Sequence, residues 1–87
     1  MTVQPGHISQ YIAHMDNVAR RKLLGDAIRK ARMERGLSQR QLASLLGANS
    51  HSYLNEIEKG SKSVGFDKIC SIADALGCDV KYFFMQF

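Results

Sequence analysis

A chain of 87 residues and 9.7 kDa has room for one domain, which on folding buries about 60% of the surface its unfolded form exposes. That leaves no second domain to hold a substrate. Hydrophobic residues at 45% and charged residues at 23% match an ordinary globular domain and exclude a wholly disordered chain, and no apolar run approaches the ~18 residues that cross a bilayer. With no charged-then-apolar leader either, a cytoplasmic protein without a membrane partner is expected.

The net charge of +4 is unevenly placed. Residues 20–40 hold Arg20, Arg21, Lys22, Arg29, Lys30, Arg32, Arg35 and Arg40 against Asp26 and Glu34, a net of +6, so the remainder carries −2. A polyphosphate partner selects such a block, because each cation that neutralises a phosphate releases condensed counterions. A solvated basic helix face has the same composition.

Taken in chain order, residues 1–6 include the single proline, Pro5. Ile8, Ile12, Met15 and Ala19 then recur at helical spacing, which predicts an added N-terminal helix that packs on the domain or on a second subunit. Asp16 caps either a separate start or an extension of the next helix. Residues 1–22 are thus an N-terminal extension, and residues 23–87 form the main domain. The first core helix is predicted over Leu23–Arg35, with Leu24, Ala27, Ile28 and Ala31 in phase and Gly36 as its stop.

Ser38 is a good N-cap for a second, short helix over Gln39–Leu46, with Leu42, Ala43 and Leu46 inward and Gly47 ending it. Either Asn49 or Ser50 caps a third helix running to about Lys59, where Gly60 stops it. Its core stripe is Leu54 and Ile57 with Tyr53 alongside, so His51, Ser52, Asn55, Glu56 and Lys59 are left facing out. A fourth helix is predicted from about Gly65 to Leu76, with Phe66, Ile69, Cys70, Ile72, Ala73 and Leu76 on its apolar side. Gly77 closes it, and a last helical segment from about Asp79 adds Val80, Phe83 and Phe84 to the core. Little alternation appears anywhere, so the fold class is all-α.

Cys70 and Cys78 lack a CxxC spacing or a companion pair of histidines, and His7, His14 and His51 are scattered. Both cysteines read as small core residues rather than as a zinc site or a disulfide. No metal or cofactor is expected.

Leu24, Ile28, Arg32, Gly36-Leu37-Ser38-Gln39, Leu42-Ala43, Gly47, Tyr53-Leu54, Ile57-Glu58-Lys59-Gly60 and Ile72-Ala73-Asp74-Ala75-Leu76-Gly77 carry a resemblance over Leu23–Phe84. In that order and spacing they resemble the Cro and phage-repressor-like helix-turn-helix regulators, also called the xenobiotic response element family. The resemblance implies a five-helix, lambda-repressor-like DNA-binding domain, here with the added N-terminal helix. In such a fold a short helix and a tight turn prop the next helix outward, so that its N-terminal half enters the major groove.

The same resemblance implies residue roles. Gln39 donates to a phosphate and braces the third helix, and Arg40 lies near the DNA backbone. His51, Ser52 and Asn55 are the candidates for base contact, Asn55 being able to pair bidentately with adenine, and Ser50 is a further DNA-binding candidate beside them. Lys59, Ser61 and Lys62 grip the backbone beyond. The plainer roles are helix capping for Gln39 and a bond to a helix carbonyl for Ser52. Arg32 and Glu58 face each other between the first and third helices as a partly buried, structural ion pair.

Two departures stand out. The turn from Gly47 to Tyr53 is one residue longer than usual, which shifts the start of the third helix and makes the alignment run from Ser52 onward. Glu56 puts a carboxylate on the reading face, where it accepts from a cytosine amino group, pairs with a basic neighbour, or points aside.

No nucleophile beside a base, phosphate-cradling glycine loop or metal spacing is present, so an enzyme ranks last among the function classes. The leading expectation is a sequence-specific regulator, a repressor or autoregulator, bound to a palindromic double-stranded operator as a homodimer. The apolar residues 8–19 or 83–87 are candidate dimer surfaces, or else fold back on their own domain. The alternative is an antitoxin or other interaction module, holding a protein partner through residues 1–22 and using the same fold for autoregulation. A restriction-modification controller is a further variant.

Overall fold

The computed structural model describes residues 16–85, so residues 1–15, which carry most of the predicted N-terminal helix, lie outside the described residues, as do 86–87. The described residues form five helices and no strand: α1 Asn17–Glu34, α2 Gln39–Leu45, α3 Ser52–Lys59, α4 Phe66–Leu76 and α5 Lys81–Phe84.

Helix α1 begins at Asn17 rather than at Leu23. The Asp16 side chain accepts the Ala19 N–H at 2.7 Å, satisfying one of the donors that a helix start leaves open. Residues 17–22 thereby become the first turns of the core helix, and the division at 22/23 falls within it. Helix α2 starts where the sequence places it. Ser38 Oγ accepts the Gln41 N–H at 3.0 Å and Gln41 Oε1 accepts the Ser38 N–H at 2.8 Å, a reciprocal capping box. Ser38→Ala is expected to lower stability by about 1 kcal/mol, read as a lower denaturant midpoint at unchanged slope.

The core joins all five helices. Ile28, Leu42, Leu54, Ile57, Ile72 and Phe83 are its largest fully buried side chains, and Leu24, Leu46, Tyr53, Val80 and Cys78 pack around them. Two predicted core residues are corrected. Phe66 is in phase with Ile69 and Ile72 but sits at the first turn of α4, where the period outruns the core, and it is 64% exposed. Phe84 is 44% exposed, because successive helical residues diverge in direction and Phe83 takes the inward position. Cys70 and Cys78 are half-buried free thiols. Burial pushes the Cys78 thiol up, against the opposing charge of Arg35.

Helix α1 packs chiefly on α3, and the approach is unusually close. Gly25 is buried in α1, and a Cβ there would lie 2.6 Å from the Glu58 carbonyl oxygen and closer still to that of Ile57. Gly60, in the left-handed region at φ +79°, abuts the α1 backbone in the same way, its missing Cβ standing 2.8 Å from Lys22 Cα. Its carbonyl accepts from Arg21 Nε at 3.2 Å. Glycines at two points on this seam let the backbones meet where any side chain would hold them apart.

Candidate nucleic-acid interface

A polar cluster fixes the inner side of helix α3. Glu58 is 3% exposed and accepts from Arg32 Nε at 2.7 Å and Arg32 Nη2 at 3.0 Å, a bidentate pair with matched geometry. Arg32 Nη1 also donates to the Leu37 carbonyl at 2.7 Å, which ties the pair to the turn before α2. Gln39, at the first position of α2, donates from Nε2 to Glu58 Oε1 at 3.1 Å and to Asn55 Oδ1 at 3.4 Å. One side chain thus links the start of α2 to both a buried and an outward residue of α3.

The two hydrogens of the Gln39 amide are engaged by these acceptors, since an amide nitrogen carries two. Bracing of α3 is therefore visible in the contacts of Gln39. Asn55 is half-buried beside it, with its Nδ2 donors and one Oδ1 lone pair left for other groups.

Helix α3 begins at Ser52, not at Ser50, and the longer turn accounts for the difference. Ser50 Oγ accepts the Ser52 N–H at 3.1 Å and donates to Ser52 Oγ at 3.0 Å, so Ser50 closes the turn from outside the helix. His51 occupies the N-cap position without a side-chain capping bond. Arg40 and His51 line two adjoining clefts between α2 and this turn, one shared with Ser50, the other with Gln39 and Arg32. The two clefts bring Gln39 and Arg40 from α2 together with Ser50 and His51 from the turn, hydrogen bonds join Ser52 to Ser50 and Asn55 to Gln39, and Lys59 is exposed at the last position of α3.

Lys62 is engaged differently. Its ammonium lies 3.1 Å from Glu56 Oε1 and 5.2 Å from the centroid of the Tyr53 ring. Of the three roles open to Glu56, pairing with a basic neighbour is the one the side chains adopt.

The basic block of residues 20–40 does not form one free face. Arg21 bonds Gly60, Lys22 pairs with Asp26 at 2.7 Å, Arg32 with Glu58, and Arg35 Nε donates to the Leu76 carbonyl at 2.5 Å. Arg21, Arg32 and Arg35 thus tie separate elements together while Lys22 pairs within α1, and a charge count does not distinguish either from a phosphate-binding surface. The Gly25 seam and the contacts of Arg21 and Arg35 were missed from sequence. A glycine inside a helical pattern was the available signal for the first, while the two arginines reach carbonyls far along the chain and carry no local mark.

The HTH_3 helix-turn-helix family model matches residues 28–83. No curated relative matches the sequence. Among solved structures, the clp gene regulator ClgR of Corynebacterium glutamicum is 35% identical with a TM-score of 0.72, over 76% of this chain and 84% of that one. The restriction-modification controller protein C.AhdI of Aeromonas hydrophila is 33% identical at a TM-score of 0.75, covering 80% of this chain and 100% of that one. An HTH_3 family transcriptional regulator from Vibrio cholerae is 28% identical at 0.73, over 80% of this chain and 39% of its own length. The run of matched residues from Ile28 to Phe83, which spans the Arg32–Glu58 pair, the α2–turn–α3 unit and α4, makes this chain a member of the HTH_3 family, the Cro and phage-repressor-like helix-turn-helix transcriptional regulators.

Proposed function

We propose that this protein represses or autoregulates transcription by binding a specific duplex operator, with α3 seated in the major groove. The observation that carries the reading is the bracing of α3. The helix buries Leu54, Ile57 and Glu58, its inner side is tied by Gln39 and Arg32, and its outward side presents Ser52, Asn55, Glu56 and Lys59. A groove ~12 Å wide admits one such helix.

In this arrangement Arg40 and the start of α2 face the DNA backbone and fix register rather than sequence, while Gln39, its amide hydrogens given to Glu58 and Asn55, braces α3. His51, Ser52 and Asn55 approach base edges with Ser50 beside them, Lys59 supplies charge at the end of α3, and Lys62, paired with Glu56, lies beyond it. A single module buries only ~600–1,000 Å² on DNA, and a homodimer on a palindromic site doubles the contacts. The exposed Val18, Phe84 and Met85 offer apolar surface for the second subunit. Sedimentation of a monomer at tens of micromolar, alone and on DNA, would contradict that arrangement.

Asn55→Ala is expected to cost about 1–3 kcal/mol of discrimination at one base position, while Lys59→Ala weakens all sequences alike and reduces the salt slope by about one. Competition between selected and scrambled duplexes over a salt series separates the two. Uniform weakening by both variants would remove Asn55 from the reading face.

A further inference from the structure

Glu56 lies nearer the middle of the outward face of α3 than Asn55 does. Ser52, Glu56 and Lys59 stand at i, i+4 and i+7, opposite the buried Leu54, Ile57 and Glu58, whereas Asn55 leans toward α2, where it accepts from Gln39. A carboxylate in the middle of a helix that enters a groove between two phosphate backbones meets repulsion unless a cation accompanies it. Lys62 is that cation. Its ammonium holds Glu56 Oε1 at 3.1 Å and rests over the Tyr53 ring, as Lys68 does at 5.8 Å. The pair is half-exposed, at 45% for Lys62 and 47% for Glu56, so it contributes little to folding.

We infer that Glu56, held and neutralised by Lys62, is a specificity-determining residue that selects cytosine at one position of the bound site. With Oε1 engaged by Lys62, Oε2 is left to accept from a base. A carboxylate accepts only, and in the major groove only cytosine N4 and adenine N6 carry amino hydrogens. Adenine sets its N7 lone pair beside that amino group, which opposes a carboxylate, so cytosine is the base that fits. Guanine and thymine offer acceptors there and are rejected. Lys62 acts through Glu56 as a positioning residue. The inference rests on the seating of α3 in the major groove proposed above.

Selection from a random duplex library with the full chain and with Glu56→Ala, Glu56→Gln and Lys62→Ala tests it. The wild type is expected to enrich cytosine at one position of each half-site by roughly five- to 150-fold over guanine or thymine. Glu56→Ala flattens that position alone, and Lys62→Ala weakens the preference at the same position. Glu56→Gln moves it toward adenine, whose N6 and N7 suit an amide. If Glu56→Ala binds every sequence more tightly and leaves the base profile unchanged, the carboxylate only repels and the inference is overturned. If the wild type enriches no site, the seating of α3 itself fails, and the inference with it.

Discussion

Glu58→Ala is expected to lower the stability of the domain by about 3–5 kcal/mol, the usual loss when one partner of a buried ion pair is removed. A domain of this size has only about 5–15 kcal/mol in total, so Tm should fall by roughly 12 °C or more. The cause is not the lost attraction itself. Alanine leaves Arg32, a residue only 8% exposed, without its counter-charge, and it also removes an acceptor of the Gln39 amide, so α2 and α3 lose part of their shared brace. Replacing both partners by apolar residues of similar size is expected to be far milder, because the desolvation of both charges disappears together. Folded Glu58→Ala protein, assayed well below its Tm, should keep the wild-type base preferences. Unchanged thermal stability with selectively lost binding would make Glu58 part of the interface instead.

The second large effect concerns Gly25. Gly25→Val places a branched side chain where even a single Cβ already collides with the Ile57 and Glu58 carbonyls. Those atoms belong to the α3 backbone and cannot swing aside, so α1 and α3 must separate or the chain must bend. Overpacking of this sort costs about 3 kcal/mol, at the upper end of the usual range. The higher helix propensity of a non-glycine residue recovers well under ~1 kcal/mol of it. Because α3 is displaced as a unit, specific DNA affinity should fall together with stability, unlike the outcome for Asn55→Ala. Paired thermal melts and binding isotherms give the answer, and a variant with wild-type Tm would show that the seam tolerates separation.

How far the sequence foretold this structure depends on the range of each interaction. The helices of the core, their stops at Gly36, Gly47, Gly60 and Gly77, and the Ser38 cap are local signals, and they were legible. Arg32 and Glu58 were legible only through the family resemblance, since nothing near either residue marks the other. Phe66 misled because periodicity reports phase, not whether anything lies opposite. The basic block left a phosphate partner and a solvated face equally open, and neither reading shows that Arg21, Arg32 and Arg35 are spent on carbonyls and a carboxylate that folding brings to them. For Glu56 a basic partner was one of three roles the sequence left open, but not which residue, because Lys62 reaches it from beyond the αL turn at Gly60. The cap of α3 was misplaced at Asn49 or Ser50, because the longer turn is closed by Ser50 onto Ser52 only once the chain is folded, which leaves His51 at the N-cap.

The most direct test of the account is selection of binding sites from a random duplex library at physiological salt, followed by titration of the winning site across a salt series. The account predicts an enriched palindrome, a steep salt slope from phosphate contacts and single-position losses on substitution within α3. Failure to enrich any site, with only weak salt-dependent binding, would contradict it and leave the fold as a module for binding another protein.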